Sequence, residues 1–211
     1  MRKKTIASAN GGDEPPRQIA EAILNFIGQI PGTGEHRSRH PGERARSIAS
    51  SAAIKAAITS GTLALPPGPL GWLTILPELI AIWRIQAQMV VDIAGTYGRE
   101  ACLTREQMIY CLFRHIAAQA IRDLVVRVGG RFLVRRVSLR VMQGVAHKVG
   151  IRMTQRAIGK GLSRWLPVVG ALGVGAYAYY DTGQVAQTAI ELFSHEIEIE
   201  PEGPENPNEN T

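Results

Sequence analysis

Apolar residues recur at helical spacing along most of the chain, and clusters of glycine and proline separate the runs. Ile19, Ile23, Phe26, Ile27 and Ile30 fall on one stripe, which predicts a short helix over 15–30. A Gly/Pro/His/Arg linker follows over 31–42. Residues 43–60 read as an Ala-rich helix whose small side chains permit close packing. The stretch Leu65-Pro66-Pro67-Gly68-Pro69-Leu70-Gly71 cannot form a helix interior and predicts a rigid apolar turn. Residues 72–97 then read as a long helix, broken or kinked at Pro77, with Gly98 as its C-cap. Along it, Arg84, Gln88 and Asp92 make a single polar stripe on an apolar rod.

Thr104 and Gln107 have capping-box spacing, so a helix is expected to start there. Ile109, Leu112, Phe113, Ile116, Ala120, Leu124 and Val128 give it an apolar face, and Gly129-Gly130 ends it. Residues 131–164 are basic and helical in pattern. Residues 165–180 are sixteen uncharged positions in a row. Ile197 and Ile199 alternate with glutamate, but so short a stretch does not make a sheet on its own. The fold class expected is therefore all-α: two Pro/Gly-broken apolar hairpins, 62–97 and 165–193, flanking a basic amphipathic helical region. The expected organisation is a flexible N-terminal arm with a short helix over 1–42, a helical domain over 43–194, and a disordered acidic tail over 195–211.

Charge sharpens this picture. The chain has 211 residues and a net charge of +6, but it is polarised. Residues 1–121 carry 13 Lys/Arg and 9 Asp/Glu, residues 122–164 carry 11 and one, and residues 165–211 carry none and 8. The basic segment and the acidic tail imply a negatively charged partner, or mutual masking of the two. Arg127, Arg131 and Arg135 recur every four residues, followed by Arg136 and Arg140. Lys148, Arg152, Arg156, Lys160 and Arg164 repeat the pattern. A four-residue step rotates a helix by about 400°, so each set forms a slowly drifting stripe. Interleaved with valine, leucine and isoleucine, these ten residues read as a surface for an anionic membrane. The plain alternative is a solvated helix face. Nucleic acid is the competing anion, but residues 122–164 hold one aromatic, Phe132, where nucleic-acid recognition usually adds more.

A spanning helix needs about 20 mainly apolar residues. The stretches 62–77 and 165–180 both fall short, leaving buried core, shallow insertion and a true span as alternatives. Cys102 and Cys111 are nine apart, which is neither redox nor zinc spacing, and indicates a reducing compartment. Met1-Arg2-Lys3-Lys4 has no apolar stretch behind it, so no secretory signal is read.

Catalytic motifs are missing. Gly159-Lys160 lacks the upstream glycine of a phosphate loop, and Gly161 to Trp165 lacks the closing glycine of a nucleophile elbow. His36 and His40 are separated by arginines that oppose a metal ion. No catalytic residue, metal or cofactor is assigned. An enzyme acting on a lipid or another apolar substrate is the alternative, and Glu78, Asp92 or His115 would have to carry its chemistry.

The run from Pro69 to Ile80, with Gly71, Pro77 and Glu78, continuing into Ile93-Ala94-Gly95-Thr96-Tyr97-Gly98, resembles the signature helix of the EcsC protein family. Gly159-Lys160-Gly161, leading through Pro167 and Gly170 into 182–193, resembles that family's C-terminal segment. The same order is similar to a helical domain of unknown function attached to some bacterial GTPases. The resemblance covers about residues 45–194. It implies a bacterial helical protein tied loosely to membranes. Together with the cationic face, the expectation is an accessory protein, cytoplasmic and peripheral to or shallowly inserted in the inner membrane, with an anionic membrane surface or a membrane protein as partner. It carries over no catalytic residue.

Overall fold

A computed structural model describes residues 14–63, 75–159 and 167–200. The chain is mostly helical. Six helices are α1 (Glu14–Ile27), α2 (Pro41–Leu63), α3 (Ile75–Thr96), α4 (Arg105–Ile121), α5 (Leu139–Gly159) and α6 (Pro167–Ser194). Three short strands, β1 (Val125–Val128), β2 (Arg131–Arg135) and β3 (Glu196–Glu200), form one sheet in the order β1-β2-β3.

Helix α1 opens with Pro15 and Pro16, whose fixed φ suits a first helical turn. Ile19, Ile23 and Ile27, at i, i+4 and i+8, are buried in the main core. So α1 belongs to the packed body and is not a free arm. It lies so close to α5 that a Cβ on Gly150 would run into the Pro16 carbonyl. Helix α2 meets α6 just as tightly: a Cβ at Gly175 would sit 3.0 Å from the Ala57 carbonyl oxygen. The Ala-rich sequence of α2 permits this approach, with Ala52, Ala53 and Ala56 all buried.

Helix α3 carries much of the core through Trp83, Met89, Val90 and Ile93. Pro77 falls in its first turn, where the missing N–H is harmless, so the expected break does not occur. Its C-terminus closes as the sequence suggests. Gly98 has φ +68°, its N–H donates to the Gly95 carbonyl, and the Arg99 N–H reaches back to the Ala94 carbonyl, the two bonds of a Schellman cap. The linker 31–40 is strapped onto α3. Thr33 Oγ1 donates to Asp92 Oδ1 at 2.6 Å, and Gln88 Nε2 donates both to the Gly32 carbonyl and to Asp92 Oδ1.

Helix α4 starts with the full Thr104–Gln107 capping box and bends at Ala117 (φ −134°, ψ 43°). It stops at Ile121, where the periodicity had suggested continuation to Val128. Residues 125–135 form a β-hairpin instead. Val125, Val126 and Val128 suit a strand, and Gly129, with φ +62°, opens the two-residue Gly129-Gly130 loop that joins Val128 to its partner Arg131. The start of the expected acidic tail is also a strand. β3 runs parallel to β2, with Arg131 opposite Glu196 and Arg135 opposite Glu200. Its alternation needed a partner strand about 65 residues earlier, which no local reading of 195–211 supplies. The second expected hairpin, 165–193, is one helix from 167 to 194. Pro69 and Gly71 lie outside the described residues. Among the described residues, no helix is long and apolar enough to cross a membrane.

Candidate functional site

The ten cations singled out in the sequence separate into two groups. Arg131 and Arg135 stand exposed on β2, and Arg127 stands on β1 opposite Phe132, on the other face of the sheet. All three are ion-paired within the molecule: Arg127 to Glu191 (3.2 Å), Arg131 to Glu198 (3.0 Å) and Arg135 to Glu200 (3.1 Å). Glu191 also takes Arg114 at 2.6 Å, which anchors α6 to α4. Arg127 further lies over the Phe132 ring, whose edge-to-face partner is His195. Glu198 and Glu200 of β3, with Glu191 of α6, therefore mask this part of the basic segment directly.

The second group sits on and beside α5. Arg136, Arg140, Lys148 and Arg152 are exposed, and α5 contains no acidic residue. Arg136, Lys148 and Arg152 form no ion pair among the described residues. The helix presents Met142, Val145, Ala146 and Val149 to the core, so its other face must look outward. In its first turn, two large apolar side chains stand in solvent: Leu139 is 64% exposed and Val141 45%. Arg156 continues α5, and Lys160 and Arg164 lie outside the described residues. Leu139 and Val141 are two of the apolar residues interleaved with the cations in the sequence, and their exposure follows from their place in the first turn of α5.

The remaining motif residues have structural roles. Glu78 accepts from Ser60 Oγ at 2.6 Å and ties α3 to α2. Tyr97 and Gly98 belong to the cap of α3. Pro167 and Gly170 lie in the first turn or two of α6.

Of the groups an enzyme would need, His115 is drawn into a polar cluster with a second ionisable side chain. Its Nε2 lies 2.7 Å from Asp181 Oδ1, and Gln86 Nε2 donates to Asp181 Oδ2 (2.9 Å) and Thr182 Oγ1 (3.2 Å). The side chains of His115 and Asp181 are each 13% exposed. His115 lies beside the bend of α4 and, with Gln119 and Arg152, lines a cleft of about 490 Å³. Cys111, one turn before His115, is fully buried, and burial pushes its thiol far up, so it is no nucleophile. Asp92 is held by Thr33 and Gln88. Among the described residues, no group of His, Cys, Asp and Glu is placed to hold a metal ion.

No family model, curated protein or solved structure matches the chain.

Proposed function

We propose that this chain is a membrane-peripheral accessory protein of EcsC type. It contacts an anionic membrane surface, or a membrane-protein partner, through the outward face of α5, at the cytoplasmic side of the inner membrane. The observation that supports this reading is that α5, an element free of acids, exposes Leu139 and Val141 in its first turn and Arg140, Lys148 and Arg152 along its length, with Arg136 exposed just before it. Apolar side chains that enter the headgroup region beside cations that attract it are the two halves of interfacial binding. Each cation near an anionic surface contributes about 1 kcal/mol.

The test is co-sedimentation with vesicles of neutral and anionic lipid. The protein is expected to bind the anionic vesicles, and the variant R136Q/R140Q/K148Q/R152Q to lose several kcal/mol at most, on the order of 1 per charge. A protein that ignores anionic vesicles at low salt overturns the proposal. Retention of an anionic nucleic acid in a gel shift at physiological salt, with no vesicle binding, transfers the same face to the competing anion.

A second reading, an enzyme acting on a lipid or other apolar substrate, draws on His115 and Asp181 beside their cleft. Turnover of a lipid ester that His115→Gln abolishes, while the melting temperature holds, would establish it.

A further inference from the structure

A cleft of about 500 Å³ lies between α2 and α3, on elements that the reading of α5 does not use. That volume is in the range of small-ligand pockets. Its apolar lining comes from Ile48, Ala52, Ile85 and Met89. Its polar lining is unequal in sign. Lys55 reaches it from α2 and Arg84 from α3, and neither forms an ion pair among the described residues. Both acids of the lining already have partners. Glu35 is bound through both carboxylate oxygens by Arg44, whose hydrogen bonds hold that carboxyl below its usual range. Asp92 Oδ1 already accepts from Thr33 and Gln88. With Arg44, Lys55 and Arg84 against Glu35 and Asp92, the lining carries a net charge of +1. Ser47 and Ser51 add two exposed hydroxyls one helical turn apart.

Arg84 faces this cleft on one side. On the other it faces a larger cleft of about 710 Å³ between α1 and α3, with Phe26 and Ile80 among its lining. That larger cleft has no other cation: Glu21, on its rim, is paired with Arg17. The charge therefore favours the α2–α3 side for a headgroup, and apolar surface extends from it in both directions.

We propose that the α2–α3 cleft binds a small amphiphile with one negative charge, such as a short-chain carboxylate. The anionic head lies between Lys55 and Arg84, and the aliphatic tail lies along Ile48, Ala52, Ile85 and Met89. A guanidinium on one wall and an ammonium on the other recognise a single anionic group by charge-assisted hydrogen bonds. The apolar floor selects against a bare ion, and the single excess charge selects against a dianion.

The experiment titrates the full chain with octanoate, with acetate as the head alone and 1-octanol as the tail alone. It follows the methyl resonances of Ile48, Ile85 and Met89 and, separately, the heat of binding. Saturable octanoate binding is expected to shift those methyls. Acetate and octanol should each bind at least tenfold more weakly. The variant K55Q/R84Q should bind octanoate at least tenfold more weakly too, with an unchanged melting temperature, because both side chains are exposed. The proposal is overturned if octanoate shows no saturable binding, if octanol binds as tightly, or if K55Q/R84Q binds octanoate as the wild type does. Methyl shifts confined to other residues overturn it as well, whether or not the variant folds. None of these outcomes depends on vesicle binding by α5.

Discussion

The hairpin 125–135 and helix α5 are written with the same motif, a cation every fourth residue, yet they carry different surfaces. In the hairpin, Arg127, Arg131 and Arg135 face Glu191, Glu198 and Glu200 at 3.0–3.2 Å. On α5, Lys148 and Arg152 meet no carboxylate among the described residues, and Arg152 finds only the Gln119 amide, at 3.4 Å. The lesson is that a run of charge in a sequence states how many cations there are, and pairing decides how many remain to act on a partner. A spacing of four keeps Arg131 and Arg135 on one side of β2, as it keeps residues on one side of a helix, whereas Arg127, across the turn, pairs with Phe132 on the other face.

The strongest way to break this contrast is to loosen α5 itself. Gly150→Ala pushes a Cβ into the Pro16 carbonyl of α1, a backbone neighbour that cannot rotate away. It is expected to cost about 1–3 kcal/mol, lowering the melting temperature by several degrees. Gly144 is on the same helix, with nothing within 4 Å of an added Cβ. There the gain in helix propensity is expected to win, and Gly144→Ala should stabilise by about 0.5–1 kcal/mol. Thermal unfolding of the two variants checks both signs, and a Gly150→Ala protein as stable as Gly144→Ala contradicts the packing described.

A second variant moves the hairpin toward α5. E198Q/E200Q keeps β3 and removes the partners of Arg131 and Arg135. Exposed ion pairs contribute little, so stability should fall by less than about 1 kcal/mol per pair. Affinity for anionic vesicles at low salt should rise by up to about 2 kcal/mol, since two cations are released. The gain should shrink as salt rises. Equal affinities of the variant and the wild type at low salt would leave β3 with a structural role alone.

A smaller effect separates the apolar half of the α5 face from its charges. Leu139→Ser with Val141→Ser removes side chains that are already exposed, so the fold should hold. Vesicle binding should weaken by about 1 kcal/mol for each apolar group that is only partly inserted. Unlike the electrostatic part, this loss should persist at high salt, and vesicle binding across a salt series reads it.

How far the sequence carried the fold follows from where its signals were local. The Ile19, Ile23 and Ile27 stripe, the Thr104–Gln107 box and the Gly98 cap are all set by neighbours within a few residues, and they appear as written. Two elements depended on distant partners. β3 is a strand because β2 offers it an edge and counter-charges across two intervening helices. Asp181 matters to His115 only because α4 and α6 lie side by side. The hairpin carries a local signal too, valines flanking Gly129-Gly130, which competes with the apolar helical period running through Leu124 to Val128. Of the surface now proposed on α5, Arg136, Arg140, Lys148 and Arg152 were legible as cations. What could not be read was which cations a remote acidic strand would cover.

The most direct measurement compares two double variants, K148Q/R152Q and R131Q/R135Q, for binding to anionic vesicles at low salt. Each removes two positive charges from the basic segment, so a protein that responds only to net charge would treat them alike. If α5 carries the contact and β3 masks the hairpin, K148Q/R152Q loses about 2 kcal/mol, roughly thirtyfold, from two charges at about 1 each. R131Q/R135Q should then change binding by less than about threefold, because its cations already face Glu198 and Glu200. Equal losses in the two variants, or a larger loss in R131Q/R135Q, would contradict the division of the basic segment into a paired and an available half.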